Sequence, residues 1–247
     1  MTQPSLSIVI PAYNEAARIG NTLEKVLQYC ESGSRPTELV IVDDGSTDST
    51  PELLKDFQKR WPATRILRNE PNRGKGFSVR RGVLEAQGEF VLFSDADLSA
   101  PIEETDRLLA AMDSLQADAV VGSRAINRQL IGIHQPIFRE LSGRFFNLCV
   151  RLSTGLKIHD TQCGLKLFRR ASTRRAFELQ RVDGFGFDPE LLFLIERRGG
   201  KIVEVPVRWD NNPATKVRFL HDATKMFFDL VALRWRAATG KYEDSRP

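Results

Sequence analysis

Short runs rich in apolar residues alternate with amphipathic stretches along the first hundred residues of the chain. Such runs predict buried strands, which we place at 7–11, 38–42, 64–67 and 90–93. The stretch at 16–29 has helical spacing, with Ile19, Leu23 and Val26 on one face. Further helices are predicted to begin near Pro51 and to span 77–86. Strands that alternate with helices predict an α/β fold, in which a mostly parallel sheet carries helices on both faces.

A polar loop follows each of the four predicted strands. The loops are Tyr13 to Glu15, Asp43 to Asp48, Arg73 to Gly76, and Asp95 to Asp97. The carboxyl ends of parallel strands lie at one edge of a sheet, where α/β proteins usually bind ligands. Four polar loops at one edge predict a nucleotide site. Neither a GxGxxG fingerprint nor a GxxxxGK[ST] loop is present, so the two common phosphate-binding motifs do not account for it.

Asp95 and Asp97 directly follow the predicted strand at 90–93. Two carboxylates beside a buried strand have to be solvated, paired or bound to a metal. Their oxygens suit Mg²⁺ or Mn²⁺, which proteins often share with substrate phosphates. The residues alone leave two interpretations open, a metal site that holds a nucleotide diphosphate and a solvated turn.

Two other loop residues have a predicted role at this edge. Lys75 lies between Gly74 and Gly76, which let a backbone approach closely, so we expect it to neutralise phosphate. Asp44 is expected to accept hydrogen bonds from a base or a ribose. Arg80 is interpreted as part of a solvated charged face.

The composition narrows the class of protein. The 247 residues, 41% of them hydrophobic, suffice for one large domain or two small ones. The net charge of +4 suits anionic partners such as nucleotides or phospholipid headgroups. Three scattered cysteines predict neither a disulfide framework nor a zinc site, which favours a reducing, cytoplasmic location. Without a signal peptide or a long apolar run, membrane contact is expected to be peripheral, at the inner face.

The order of these motifs resembles that of the family 2 glycosyltransferases. The matching stretches are SIVIPAYNE at 7–15, VDDGSTD at 42–48, NRGKG at 72–76 and DAD at 95–97. The resemblance implies a GT-A domain over residues 1–220 that binds a nucleotide-sugar with a divalent metal, Mg²⁺ or Mn²⁺, held by Asp95 and Asp97. Residues 221–247 are then expected to form a basic amphipathic helix and tail that can lie at an interface.

Two later stretches, HDTQCGLKLF at 159–168 and FGFDPELL at 185–192, resemble the dolichyl-phosphate glucosyltransferase branch. The resemblance implies inverting transfer of one hexose, with glucose from UDP-glucose favoured, to a polyprenyl phosphate. The alternatives are GDP-mannose as donor, a soluble sugar as acceptor, and a pseudoenzyme that only binds a nucleotide-sugar. The chain departs from eukaryotic members of the branch, which carry an amino-terminal membrane anchor, and it lacks the QxxRW motif of processive synthases.

The resemblance also implies roles for single residues. Nucleotide-sugar binding is expected of Pro11, Tyr13, Glu15, Asp44, Lys75, Asp95, Ala96, Gln162 and Lys166. Catalytic roles are expected of Asp97, Arg124 and Asp188, although Asp188 has a second interpretation as a helix cap before Pro189. The acceptor phosphate is expected to contact Arg124, Arg139 and Ser142. Lys216 and Arg218 are expected to close over the diphosphate.

Two basic amphipathic stretches, at 136–152 and 222–238, have three interpretations. A basic helix with a bulky apolar face can lie in a bilayer surface, which would bring the protein to a lipid acceptor. The same faces can instead pack against the core, with their arginines extended to solvent. A homodimer interface is the third use. No nucleic-acid partner is expected, because the basic residues do not interleave with aromatics in one patch.

Overall fold

A computed structural model describes residues 4–211 and 219–243 of the chain. Seven strands form one sheet in the order β3-β2-β1-β4-β6-β5-β7. They are β1 Leu6–Ala12, β2 Thr37–Asp43, β3 Thr64–Arg68, β4 Phe90–Ser94, β5 Ala119–Ser123, β6 Leu165–Arg169 and β7 Ile202–Pro206. Of these seven described strands, β6 alone runs antiparallel to its neighbours, β4 and β5. The predicted mostly parallel α/β sheet is therefore confirmed.

Helices cover both faces of this sheet, as predicted. They are α1 Ile19–Ser32, α2 Thr50–Arg60, α3 Lys75–Glu85, α4 Glu104–Ser114, α5 Ile137–Thr154, α6 Arg170–Leu179, α7 Phe187–Arg197 and α8 Phe219–Ala238. Along β1, Ile8 and Ile10 join the core beneath α1, α2 and α4, whereas Val9 joins the core on the opposite face. Successive side chains of a strand point to opposite faces, so each central strand contributes to both cores.

The boundaries differ from the predictions at two places that matter for the site. The helix predicted over 77–86 spans Lys75–Glu85, so Lys75 is its first residue and not part of the preceding loop. The stretch HDTQCGLKLF ends in strand β6, which runs from the functional edge of the sheet back toward the opposite edge. That reversal brings the residues just before β6 to the same edge as the end of β4.

Helix α8 shares the core of the sheet domain. Leu230, Leu233 and Tyr242 are buried with residues of α7. The fully buried Glu190 on α7 also accepts hydrogen bonds from Tyr242 and, at 3.3 Å, from Arg236. The described part of the C-terminal segment therefore packs firmly on the domain, and the boundary at residue 220 stays a prediction.

Candidate active site

The acidic pair lies where β4 ends beside the start of β6. The backbone N–H of Asp95 donates to the carbonyl of Gly164 at 3.0 Å. A Cβ atom at Gly164 would overlap the Asp95 carboxylate, so glycine leaves the space that this side chain fills. Asp97 Oδ1 accepts the backbone N–H of Ser99 at 3.0 Å. Both carboxylates remain accessible, since their side chains are 30% and 19% exposed, respectively.

A lysine ammonium already neutralises one member of the pair. Lys75 Nζ lies 2.6 Å from Asp95 Oδ1. It also lies 5.4 Å and 5.8 Å from the ring centroids of Phe93 and Phe185, within the range of cation–π attraction. Burial opposes the charge, but the carboxylates of Asp95 and Asp188 raise the pKa of Lys75 overall. Lys75 was predicted to neutralise phosphate. In the structure its ammonium forms an ion pair with the Asp95 carboxylate, beside the expected phosphate position.

The residues present fit a divalent cation that is shared with a substrate. Burial, and then the charge of Asp95, raises the pKa of Asp97, so a cation at the pair would relieve a real electrostatic cost. Within residues 4–211 and 219–243, no cluster of three or more His, Cys, Asp or Glu side chains surrounds the pair. Mg²⁺ commonly binds through one or two carboxylates, with phosphate oxygens and water as its other ligands. Asp95 and Asp97 supply that number.

Asp44 fixes the shape of the neighbouring glycine loop. Its Oδ1 accepts the side-chain amide of Asn69 at 2.7 Å and the N–H of Arg73 at 2.9 Å. Its Oδ2 accepts the N–H of Gly74 at 2.8 Å. Gly74 has φ of +103°, a conformation that side chains other than glycine rarely adopt. The expected contact of Asp44 with a base or ribose stays a prediction, and the structure shows its second task of holding this loop.

The remaining residues predicted to bind the nucleotide-sugar gather at the end of β1 and beyond β4. Pro11 is half-buried near the end of β1, and Tyr13 is exposed just after it. Glu15 forms an ion pair with Arg18, whose guanidinium also lies 3.8 Å from Asp97. Ala96 is buried. These placements are compatible with a donor pocket at this edge, while each contact to a ligand stays a prediction.

A buried ion pair supports the acidic pair from beneath. Lys166 has no exposed surface, and its Nζ donates to Asp188 Oδ1 and to the Cys163 carbonyl, both at 2.6 Å. Burial raises the pKa of Asp188, against the opposing charges of Lys166 and Lys75. Lys166 was expected to line the sugar pocket, but the structure places its ammonium below the edge. Asp188 is not the N-cap of α7, since that position belongs to Gly186.

An open pocket of about 220 Å³ lies beside the acidic pair and is strongly basic. Its lining includes Arg124, Arg128, Arg139, Arg144, His134, His159, Gln162 and Trp209. We call it the arginine pocket. Trp209 also lines a small cavity next to Asp95 and Asp97, so the two sites share this residue. Ser142, predicted to bind the acceptor, lies on α5 outside this lining and donates its hydroxyl hydrogen to the Phe138 carbonyl at 2.8 Å.

Most guanidinium groups of the arginine pocket are already paired. Arg124 donates through Nε and Nη2 to the two oxygens of Asp160, each at 2.7 Å, and its guanidinium faces the Trp209 ring. Although burial opposes it, Arg124 lowers the pKa of Asp160. Arg128 and Arg144 share Glu140. The structure shows no ion pair for Arg139 among the residues that it describes, so its charge is available to an anion.

Two features of the arginine pocket were not predicted. Asp160 belongs to the quoted stretch at 159–168 but had no assigned role, and its partner Arg124 is 36 residues away. Gln162 was predicted for the sugar, and its Nε2 is a buried donor in this pocket that has no hydrogen-bond partner among residues 4–211 and 219–243. A buried donor without a partner is costly unless a ligand accepts from it. Lys216 and Arg218 lie outside the described residues.

Large apolar side chains of α5 and α8 point into solvent. They are Ile137, Phe138, Leu141, Phe145, Leu148 and Leu152 on α5, and Phe227, Phe228, Val231 and Trp235 on α8. The two helices contact each other. We call this set the α5–α8 apolar face. For these residues the structure does not support the core-packing interpretation, because each of them is 49–79% exposed. Across the described ranges, no helix has the length and apolar character required to cross a bilayer.

The chain resembles known proteins both in sequence and in structure. The family model described as glycosyl transferase family 2 matches residues 7–177. A dolichyl-phosphate beta-glucosyltransferase from Saccharomyces cerevisiae is 34% identical, over 98% of this chain and 77% of that protein. The protein of the same name from Homo sapiens is 30% identical, over 96% of this chain and 77% of its own length.

Solved structures agree on the fold. Glucosyl-3-phosphoglycerate synthase from Mycobacterium tuberculosis, in complex with Mn²⁺, UDP-glucose and glycerol 3-phosphate, superposes with a TM-score of 0.66 at 20% identity, over 96% of this chain and 80% of that one. Mannosyl-3-phosphoglycerate synthase from Rubrobacter xylanophilus superposes with a TM-score of 0.70 at 15% identity, over 99% of this chain and 77% of that one. At these identities the likeness extends to the fold alone.

Proposed function

Since this chain belongs to glycosyl transferase family 2, we propose that it transfers glucose from UDP-glucose to a dolichyl-type polyprenyl phosphate. The relatives at 30–34% identity carry the name of that activity and match nearly the whole chain, which supports the donor and the acceptor. The observation that carries the proposal is the arrangement of the site. The cavity at the acidic pair, which is suited to a metal-bound diphosphate, shares Trp209 with a pocket lined by guanidinium groups.

The donor half would stabilise the departing nucleotide. A divalent ion at Asp95 and Asp97 would supply Lewis-acid stabilisation of the leaving diphosphate. Lys75 adds a positive charge at the same place, and Asp44 keeps the glycine loop in the shape that presents this charge. Fixed charges of this kind lower a barrier because they need no reorganisation when the leaving group forms.

The acceptor half favours an anion over a sugar hydroxyl. A hydroxyl acceptor needs a general base close to it. Among the described residues, the nearby carboxylates of Asp160, Asp188 and Glu140 are each held in an ion pair. A phosphate oxygen is already ionised near neutral pH, so the protein has only to hold two anionic reactants together. Arg139 and the buried Nε2 donor of Gln162, which no described residue accepts from, suit that task.

A transfer assay tests the proposal. The purified chain is given Mn²⁺ or Mg²⁺, a short-chain dolichyl phosphate and radiolabelled UDP-glucose, UDP-N-acetylglucosamine or GDP-mannose. We expect label to enter the organic phase from UDP-glucose. Label transferred from GDP-mannose alone would show that GDP-mannose is the donor. Label in a water-soluble product would show that the acceptor is a soluble sugar. Binding of UDP-glucose without turnover would identify a pseudoenzyme.

Replacing Arg139 by glutamine should weaken acceptor binding specifically. Loss of one hydrogen bond to a charged group costs about 1.5–3 kcal/mol, so we expect KM for dolichyl phosphate to rise roughly 10- to 100-fold. KM for UDP-glucose should stay unchanged, because Arg139 lines the arginine pocket and not the cavity at the acidic pair. The matched control is Arg151→Gln on the same helix, outside this lining. Equal effects of the two variants on acceptor KM would contradict the assignment.

We propose further that the α5–α8 apolar face contacts a membrane surface when the acceptor is bound. Its exposed residues Phe138 and Phe145 lie on the helix that supplies Arg139 to the arginine pocket. A basic helix with exposed bulky apolar side chains gains from both apolar burial and attraction to anionic lipids. The cytoplasmic side of the membrane and a homodimer stay predictions.

Phe138→Ser combined with Phe145→Ser should weaken vesicle binding without unfolding the protein. Full burial of one such side chain contributes about 1.5–3 kcal/mol, so we expect at least roughly 100-fold weaker binding for the pair. Co-sedimentation with vesicles of phosphatidylcholine and phosphatidylserine measures it. Leu115→Ser, at an exposed apolar site at the end of α4, is the control. Unchanged vesicle binding, together with conversion of a dimer to a monomer, would assign the face to self-association.

A further inference from the structure

We propose that the Lys75 ammonium occupies the cation position at Asp95 whenever the donor is absent, so that the metal ion binds together with the nucleotide diphosphate and not before it. The proposal rests on the proposed function for the nucleotide and for the metal site at Asp95 and Asp97. It concerns the order in which two ligands bind, and Lys75 is the residue that sets this order.

Neighbouring groups of the fold hold the Lys75 ammonium in its position. Nζ of Lys75 lies 2.6 Å from Asp95 Oδ1, with the rings of Phe93 and Phe185 close by. The backbone that carries it is confined on both sides. A Cβ atom at Gly74 would overlap the Asp183 carbonyl, and one at Gly76 would overlap Phe187. The backbone is thus fixed, while the four-carbon side chain of Lys75 lets the ammonium move.

The ammonium and a divalent ion compete for the same carboxylate. Asp95 Oδ1 carries the ion pair with Lys75, and Asp95 is half of the pair that would bind the metal. Two cations on one carboxylate group repel each other, so the metal has to displace the ammonium. Metal binding to the free protein is therefore weakened by the strength of the Lys75–Asp95 ion pair.

Among the described residues, the carboxylates that raise the pKa of Lys75 besides Asp95 are Asp188 and Asp97. Asp97 is the other member of the metal pair, and Asp188 already binds the buried ammonium of Lys166 at 2.6 Å. Moving Lys75 there would bring two ammonium groups together. An incoming diphosphate removes this obstacle, because it provides new anionic oxygens for Lys75 and leaves Asp95 to the metal.

Such an exchange makes the metal and the nucleotide bind cooperatively. When one ligand raises the affinity for another, the second raises the affinity for the first by the same factor. Removing the ammonium should therefore strengthen metal binding to the free protein and reduce the gain that the nucleotide brings. If Lys75 only contacted phosphate, its removal would leave metal binding to the free protein unchanged.

Titration with Mn²⁺, followed by the electron paramagnetic resonance signal of the free ion, tests this prediction. We expect Lys75→Met to bind Mn²⁺ about 10-fold more tightly than the wild type without nucleotide. The ratio of Mn²⁺ affinities with and without UDP should fall by a similar factor. Lys75→Arg keeps the charge and should behave like the wild type. Arg73→Met is the matched control, because it removes an exposed charge two residues away, where the guanidinium stacks on Phe77.

Several outcomes would overturn the proposal. Equal or weaker binding of Mn²⁺ by Lys75→Met than by the wild type, with melting temperatures alike, would show that the ammonium does not compete. An equal gain in Arg73→Met would show a general charge effect. If Lys75→Met combined with Asp95→Asn still bound Mn²⁺ more tightly than the wild type, the ion would bind at a site other than Asp95. The titrations contain no acceptor and are repeated with GDP, so a wrong acceptor or donor sugar leaves their result unaffected.

Discussion

Asp97→Asn is expected to reduce glucosyl transfer by at least about 1000-fold, because losing a metal-held diphosphate removes roughly 4 kcal/mol of transition-state stabilisation. The change is chosen to leave the loop intact. Asparagine keeps an oxygen for the 3.0 Å hydrogen bond from the Ser99 N–H, and it has nearly the same shape as aspartate. The initial rate at saturating UDP-glucose and dolichyl phosphate measures the effect.

The fold of this variant should be preserved. Burial and the neighbouring Asp95 charge raise the pKa of Asp97, so its negative charge opposes folding. Removing it should change the free energy of unfolding by less than about 1 kcal/mol. Asp113→Asn, an exposed aspartate on α4, serves as the control for the loss of one charge. Transfer at the wild-type rate in Asp97→Asn would show that the acidic pair does not hold the leaving group.

Lys166→Met should destabilise the protein by about 3–5 kcal/mol, the usual cost of leaving one charge of a buried ion pair without its partner. Lys166 has no exposed surface and Asp188 is 3% exposed, so water cannot take over the role of the ammonium. Methionine fills a similar volume, which isolates the electrostatic effect from a cavity. Denaturation in urea measures the free energy of unfolding.

The deficit of Lys166→Met should depend on pH with a defined sign. Burial already raises the pKa of Asp188, and removing Lys166 removes the main charge that lowers it. A carboxyl group with a raised pKa binds protons more tightly in the folded state, so stability falls as pH rises above about 4, the unfolded value, toward the raised pKa. The deficit relative to wild type should therefore be smaller at low pH.

A second substitution separates charge from packing. Lys166→Met combined with Asp188→Asn removes both charges and should recover part of the lost stability, because well-packed neutral replacements of buried ion pairs are often tolerated. A double variant as unstable as Lys166→Met alone, with the same deficit at every pH, would show that shape rather than charge holds this position.

The polar loops after β1 to β4 were expected at one edge of the sheet, because parallel strands bring their carboxyl ends together. The structure joins Asp44 to the backbone of Arg73 and Gly74, and Lys75 to Asp95, while their roles toward a nucleotide-sugar stay predictions. The match to glycosyl transferase family 2 confirms the family that these motifs indicated.

The details that the sequence could not supply depend on long-range partners. Lys166 alternates with Leu165 and Leu167 along β6, and nothing in that pattern shows that its face lies against Asp188, 22 residues later. Arg80, interpreted as solvated, donates to the Gln180 carbonyl 100 residues away. The exposure of Phe138 and Phe145 was likewise open, since amphipathic spacing gives a helix two faces without saying what covers them.

The antiparallel direction of β6 makes residues 125–159 one excursion from the sheet, since β5 ends at the functional edge and β6 begins there. The double hydrogen bond between Arg124 and Asp160 closes its base. Val150, Leu156 and Ile158 of this excursion are buried in the core, whereas the loop at 131–136 is exposed or half-buried and supplies His134 and Gln135 to the arginine pocket. Surface loops tolerate changes of length and sequence at small thermodynamic cost. We therefore expect the contents of this pocket to vary through that loop, while α5 keeps its packing.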